Sequence, residues 1–185
     1  MALLESIGIE LGTTMPSFEL EDSYGDRYTL LNSVGEKGLL IIFSCNHCPY
    51  AQAVWPRLIK LAKLAKALEI TTLAINPNIH PDYPEDSPDE MAKYALEMGI
   101  DFPYLIDADQ SVARAYDAQC TPDIYLLDHH RQLRYHGRVD DNWQDEALVK
   151  REELKEAILS LGNGRAIPEH QFPTMGCSIK WVNRA

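Results

Sequence analysis

Two cysteines that stand two residues apart constrain this chain more than any other feature of its sequence. Cys45 and Cys48 follow a continuously apolar run at 39–43 and precede a long amphipathic segment at 52–68. The apolar run predicts a strand buried on both faces, and the amphipathic segment predicts a helix. We therefore expect a Cys-x-x-Cys dithiol at a strand-to-helix junction, where the N-terminus of the helix stabilises a thiolate.

Two kinds of chemistry fit this spacing. A redox dithiol fits because two intervening residues let the second sulfur resolve a mixed disulfide formed by the first. Half of a zinc site also fits, but the sequence contains no second Cys-x-x-Cys or His-x-x-x-His to complete it. The alternative to a redox enzyme is thus a metal-binding protein that uses Cys45 and Cys48 with Cys120 or His47.

Composition limits the remaining classes. The chain has 185 residues, of which 45% are hydrophobic and 24% charged, as in an ordinary globular domain. Its net charge of −11 argues against nucleic acid or an anionic membrane as a partner. Residues 1–11 have no basic start and no long apolar core, so we expect no signal peptide. Four cysteines in such a chain indicate a reducing compartment, and we expect a cytoplasmic protein.

The order of the predicted elements indicates an α/β fold. We expect a mixed β-sheet flanked by helices on both faces, with an N-terminal β-hairpin and a C-terminal tail. The predicted domain is 1–165, and the tail that packs on it is 166–185. The predicted elements are a loose lead-in at 1–12, a hairpin at 16–31, strands at 39–44, 70–76, 103–106, 123–128 and 132–139, and helices at 52–68, 87–98, 110–116 and 146–161. At 87–90 a capping box of Ser87 and Glu90 is expected to start the helix.

The segment 39–161 resembles the thioredoxin fold, and the hairpin pattern before it resembles the redoxin branch that contains peroxiredoxins and thiol-specific antioxidants. More particular motifs are similar to those of a bacterial group of peroxiredoxin-like thioredoxin-family proteins. These motifs are CNHCPY at 45–50, YPEDSP at 83–88, CTPD at 120–123 and GCSIKW at 176–181. The resemblance implies a thiol–disulfide oxidoreductase without a cofactor, whose partners are protein or small-molecule disulfides and thiols. It also implies that Pro122 is a cis-proline facing the dithiol, and that the backbone of Thr121 is free to pair with an extended substrate.

The chain departs from these families at three points. Ser44 stands where thioredoxin has Trp, and no acid lies on the strand at 39–43, so the proton acceptor for the buried thiol is undefined. The peroxidatic pattern Pro-x-x-x-Thr-x-x-Cys is absent before both Cys45 and Cys48. Any thiol-dependent peroxidase (antioxidant) activity is therefore expected to be weak.

Several residues keep two interpretations. We expect Cys45 to cap the helix, to be the more exposed cysteine and to attack, with Cys48 resolving. His47 either favours a thiolate or is a solvent-exposed helix-start residue.

Cys120 is either a buried hydrophobe or a supporting thiol near Pro122. Cys177 is either a second redox thiol that exchanges with Cys45 or Cys120, or an inert packing residue in a tail anchored elsewhere by Ile179 and Trp181. The acids of the loop and helix start are expected to be solvated; they are Asp82, Glu85, Asp86, Asp89 and Glu90.

Overall fold

The structure is a computed structural model that describes residues 2–182. Its strands are β1 (Leu3–Glu5), β2 (Glu19–Asp22), β3 (Arg27–Thr29), β4 (Gly38–Phe43), β5 (Ile70–Asn76), β6 (Tyr104–Ile106), β7 (Cys120–Thr121), β8 (Asp123–Asp128), β9 (Leu133–His136) and β10 (Met175–Ser178). Its helices are α1 (Leu30–Ser33), α2 (Pro49–Ala67), α3 (Pro88–Met98), α4 (Ser111–Ala115) and α5 (Glu153–Gly162). Among residues 2–182, no helix combines the length and the apolar character that a membrane span requires.

Seven strands form one mixed sheet in the order β3-β2-β6-β5-β4-β8-β9. The strands β4, β5 and β6 run parallel to each other, and the other neighbouring pairs are antiparallel. The predicted α/β sheet and its N-terminal hairpin, formed by β2 and β3, are confirmed. The buried strand β5 and the strand β8 match their predicted bounds.

The strand β4 lies at the centre of this sheet, and all of its residues are buried. Leu40 and Ile42 pack on one face with apolar residues of α2 and α5. Leu39, Ile41 and Phe43 pack on the opposite face, in the cluster that also holds residues of α4. Because both faces are covered, the sequence of this strand is continuously apolar. Cys45 and Cys48 follow within a few residues of the C-terminal end of this strand.

Three local predictions are wrong. The lead-in is not loose, because Leu3–Glu5 forms β1. The last helix does not begin at residue 146: a 3-10 turn covers Glu146–Leu148, and Asp141 Oδ1 accepts the N–H groups of Lys150 at 2.8 Å and Arg151 at 3.2 Å. These bonds hold the intervening backbone as a loop, so α5 begins at Glu153. Ser87 is the N-cap of α3, but its side chain makes no capping bond.

A second sheet ties the C-terminal tail to the domain. It has three antiparallel strands in the order β1-β10-β7, with Leu3 opposite Cys177 and Cys177 opposite Thr121. The tail is also held beyond β10, because Lys180 N–H donates to Asn78 Oδ1 at 2.8 Å. The tail predicted at 166–185 therefore contributes a strand; its residues 183–185 lie outside the described range.

Candidate active site

The two cysteines lie at the junction between β4 and α2, as predicted, but their individual positions differ from the prediction. The helix begins at Pro49, and its N-cap is Cys48 rather than Cys45. Both residues have an exposed fraction of 0%. The expectation that Cys45 caps the helix and is the more exposed thiol is therefore wrong, because the helix starts directly after the second cysteine and the loop and tail cover both.

The first turn of α2 directs N–H groups at two sulfurs. Pro49 has no N–H to offer, so the next two residues supply the first donors. The N–H of Ala51 donates to the sulfur of Cys48, and the N–H of Tyr50 donates to the sulfur of Cys177. The helix N-terminus thus serves a pair of sulfurs, one from the dithiol and one from the tail.

The thiol of Cys48 is acidic in this setting. A hydrogen bond from Cys45 is the main cause that lowers the pKa of Cys48 to about 5, and donors from Cys177 and Ala51 act in the same direction. Burial opposes this shift. The carbonyl oxygen of Thr121, 3.1 Å from Cys48 Sγ, also opposes it, since it accepts the S–H proton only while Cys48 is protonated. The donors outweigh both, so negative charge of the reduced pair is held on Cys48.

The thiol of Cys45 behaves in the opposite way. Burial raises the pKa of Cys45 well above its ordinary value, and the hydrogen bond with Cys48 and the charge of Asp86 raise it further. Its Sγ lies 3.2 Å from Thr121 Oγ1. The reduced dithiol therefore shares one proton, which stays on Cys45.

Thr121 contacts both sulfurs through its hydroxyl and carbonyl oxygens, and its peptide bond to Pro122 is cis, as the resemblance implied. The backbone of Thr121 is not free, however. Cys177 of β10 is its antiparallel partner, and Gly176 passes so close that an added Cβ would stand 2.1 Å from Thr121 O. The edge predicted to receive an extended substrate is occupied by the chain's own C-terminal strand.

Asp86 is a site residue that the sequence analysis missed. It is fully buried rather than solvated, and its Oδ1 accepts the Asn46 N–H at 2.6 Å and the Asn76 amide at 3.1 Å. Its Oδ2 pairs with Nδ1 of His47. In the sequence it is one acid among five in a polar loop, with no periodicity to distinguish it. Only the fold brings the 3-10 turn Pro84–Asp86 onto the loop of the dithiol.

His47 is not the solvent-exposed residue of one interpretation, because its side chain is 7% exposed. Its ring stacks on Tyr83, with 4.4 Å between the ring centroids, and its buried Nε2 has no hydrogen-bond partner. One ligand-type atom each of Cys45, His47 and Asp86 lies within 4.8 Å of the others. A carboxylate–imidazole pair beside a protonated thiol can take the proton from that thiol.

The same three groups are a donor set that a cation such as Zn²⁺ can use. Among the residues that the structure describes, this grouping includes neither Cys48 nor Cys120. It therefore differs from the metal-binding alternative drawn from the sequence. The bond between His47 and Asp86 already engages two of the three groups.

The structure separates the two remaining cysteines. Cys120 is buried with its Sγ 3.6 Å from Pro122 O, and burial raises its pKa well above the ordinary value. The charges of Cys48 and Cys177 also raise it, so the Cys120 sulfur lies within electrostatic range of both, although it shares no hydrogen bond with either that the structure records. Cys177 shares a core cluster with Cys45 and Cys48, and its thiol hydrogen-bonds with Cys48. Its neighbour is thus Cys48, which the sequence analysis had not named as a partner.

Comparison with known proteins places this chain in a family. The family model described as AhpC/TSA matches residues 11–136, a range that includes the dithiol and Pro122 but not Cys177. Thiol-disulfide oxidoreductase ResA of Geobacillus kaustophilus is 27% identical over 130 residues, which are 70% of each chain.

Two solved structures are similar over most of the chain. An uncharacterized conserved protein from Geobacillus kaustophilus has 40% identity and a TM-score of 0.95, covering 100% of this chain and 99% of that one. Peroxidoxin BcpB from Mycobacterium tuberculosis has 19% identity and a TM-score of 0.62, covering 86% of this chain and 100% of that one, and it supports the fold alone. The match to the family model spans more than half of the chain, and this protein belongs to the AhpC/TSA family.

Proposed function

We propose that this chain is a thiol–disulfide oxidoreductase whose working groups are Cys45 and Cys48. The observation that carries the proposal is the contact between the two thiols: Cys48 is the N-cap of α2 and hydrogen-bonds with Cys45, which lies beside His47 and Asp86. This setting lowers the pKa of Cys48 and raises the pKa of Cys45. An ionised sulfur next to a protonated one is the form of a dithiol that attacks a disulfide. The similarity to a protein named thiol-disulfide oxidoreductase supports the same activity.

The reaction follows from this arrangement. The thiolate of Cys48 attacks one sulfur of a substrate disulfide, and the other substrate sulfur leaves as a thiolate that takes up a proton. Cys45 then loses its proton to the His47–Asp86 pair and attacks Cys48, which releases the second substrate thiol and closes the Cys45–Cys48 disulfide. The substrate gains two electrons and the dithiol loses two. This order reverses the attacking and resolving roles expected from the sequence.

The substrates are disulfides that reach a covered site. Both cysteines are fully buried, and a cavity of about 250 Å³ is lined in part by Tyr50, Pro122 and Met175 but by neither cysteine. This cavity admits a small disulfide or one extended side chain. A protein substrate additionally needs the Thr121 edge that β10 now fills. All four cysteines are unpaired thiols, which suits the cytoplasm as the proposed location.

The test measures trapping and turnover together. Purified protein is reduced, mixed with a chromogenic aromatic disulfide or with oxidised glutathione, and assayed for released thiol. We expect the double variant Cys45→Ser with Cys177→Ser, which leaves no second thiol in contact with Cys48, to accumulate a mixed disulfide on Cys48, and Cys48→Ser to lose turnover without forming a rapid adduct. Cys120→Ser is the matched control and keeps wild-type rates. Wild-type protein that forms no Cys45–Cys48 disulfide and releases no thiol would contradict the proposal.

Peroxide reduction by the same dithiol is a second, weaker activity within this proposal. Cys48 as a thiolate reacts with peroxide to give a sulfenic acid, which Cys45 resolves to the disulfide. Because the Pro-x-x-x-Thr-x-x-Cys pattern is absent, the threonine of that pattern is not there to orient the peroxide, and we expect a low rate.

A further inference from the structure

The tail strand β10 lies in the place of an extended substrate. It pairs antiparallel with β7, and Cys177 stands directly opposite Thr121, the residue whose carbonyl and hydroxyl oxygens contact Cys48 and Cys45. A strand added to an exposed edge is a common way in which a protein binds an extended peptide. Cys177 therefore occupies the position that the cysteine of such a peptide would take.

The sulfur of Cys177 is held next to that of Cys48 by independent contacts. The two thiols hydrogen-bond with each other, and the N–H of Cys177 also donates to Cys48. Both sulfurs receive an N–H from the first turn of α2, from Ala51 and from Tyr50. Cys177 is 2% exposed, so it exchanges with internal partners before external ones.

We propose that Cys177 is a third redox thiol, which exchanges with the Cys45–Cys48 disulfide to form a Cys48–Cys177 disulfide. This inference rests on the proposed function of the dithiol. Cys177 loses its proton and attacks Cys48 Sγ, the Cys48–Cys45 bond breaks, and Cys45 leaves with the electron pair and takes up a proton. One disulfide replaces another, so no external oxidant or reductant is consumed.

The Cys48–Cys177 disulfide holds the tail covalently over the active site. A Cys48–Cys177 bond joins β10 covalently to the start of α2 and keeps the Thr121 edge filled, while Cys45 becomes a free thiol beside His47 and Asp86. An oxidised enzyme in this form has no open edge for a peptide. Reduction of the bond returns β10 to its noncovalent contacts, from which a substrate strand can displace it.

The glycine before Cys177 makes this placement possible. A Cβ at Gly176 would stand 2.1 Å from Thr121 O and 2.6 Å from Thr121 C, both backbone atoms that cannot rotate away. Gly176→Ala therefore forces β10 off β7. Gly8 has no atom within 4 Å of the corresponding position, and Gly8→Ala is the matched control.

The experiment is mild oxidation with diamide followed by tryptic mapping without reduction. Cleavage leaves Cys45 and Cys48 together in the peptide 38–57 and Cys177 in 166–180. We expect a cross-link between these peptides in the wild type, as the main product in Cys45→Ser, and none in Cys48→Ser. In Gly176→Ala, the cross-link falls at least tenfold relative to Gly8→Ala, with circular dichroism confirming that both fold.

A variant with a displaced thiol tests whether the cross-link depends on the position of the thiol or only on its presence in the tail. The double substitution Cys177→Ser with Ser178→Cys moves the thiol one residue along β10, to the opposite face of the strand. We expect no cross-link there. A fully reduced Cys177 in oxidised Cys45→Ser, or a bond from Cys177 to Cys120, would overturn the inference. If the Cys45–Cys48 disulfide and turnover persist in that case, the proposed function stands; if both are missing, the proposed function fails as well.

Discussion

Removing one hydrogen-bond donor from Cys48 should weaken its acidity by a measurable step. The perturbation is Cys177→Ala, which deletes the tail thiol but leaves the N–H of residue 177 in place. Four donors act on the sulfur of Cys48: the thiols of Cys45 and Cys177 and the N–H groups of Ala51 and Cys177. They lower its pKa from 9.0 to about 5.

The size of the step follows from these donors. A shift of four pKa units corresponds to about 5 kcal/mol. A hydrogen bond to a charged group is worth roughly 1.5 kcal/mol or more. The bond from Cys45 contributes most, and burial of the charge opposes the donors by more than the bond from Cys177 contributes. One donor is then worth about one pKa unit. We expect Cys177→Ala to raise the pKa of Cys48 by about one unit, and Cys45→Ala, which removes the main donor, to raise it by at least as much.

The assay is a pH titration of thiolate absorbance in the ultraviolet for the reduced protein, repeated with each variant. Cys48→Ser identifies the step, because it should abolish the low-pH transition. Cys120→Ala is the control and should leave the transition unchanged, because burial keeps Cys120 protonated and it is not among the donors to Cys48. A transition in the wild type near ~8.5, the value of an ordinary cysteine, would refute the argument. An unchanged pKa in Cys177→Ala would refute the part assigned to the tail.

Three further predictions concern the same site. Asp86→Asn should slow disulfide reduction by roughly 10²-fold, the usual effect of losing a general base, whereas the exposed neighbour variant Glu85→Gln should keep the wild-type rate in the same assay. The lowered pKa of Cys48 stabilises the folded reduced protein fully above ~8.5, and this stabilisation is absent below about 5. The difference in unfolding free energy between wild type and Cys48→Ser, measured in urea, should therefore fall by up to about 1.4 kcal/mol for each unit by which the pH drops within that window. A difference that does not change with pH would contradict this prediction. Peroxide consumption should stay well below about 10⁶ M⁻¹s⁻¹, within the range of efficient enzymes, and a stopped-flow rate at or above that value would show that the missing Thr is not needed.

The sequence determined where the dithiol lies in the fold. Continuous apolar character at 39–43 can be satisfied only by a strand covered on both faces, and the amphipathic period after Cys48 can be satisfied only by a helix on one of those faces. Both signals are local, so β4, α2 and the junction between them follow from the chain alone. The cis peptide bond at Pro122 came from the resemblance to thioredoxin, since nothing local distinguishes it from a trans one.

The tertiary structure decided what surrounds the two sulfurs. Asp86 became a site residue because a 3-10 turn folds onto the cysteine loop from outside, a long-range contact that leaves no periodic trace in the sequence. The helix starts directly after Cys48, and the lowered pKa belongs to this second cysteine because Cys45, Cys177 and the Ala51 N–H all donate to its sulfur. The tail reached the Thr121 edge because antiparallel pairing with β1 and β7 satisfies its backbone groups on both sides, and a sequence cannot specify which distant edge such a strand will find.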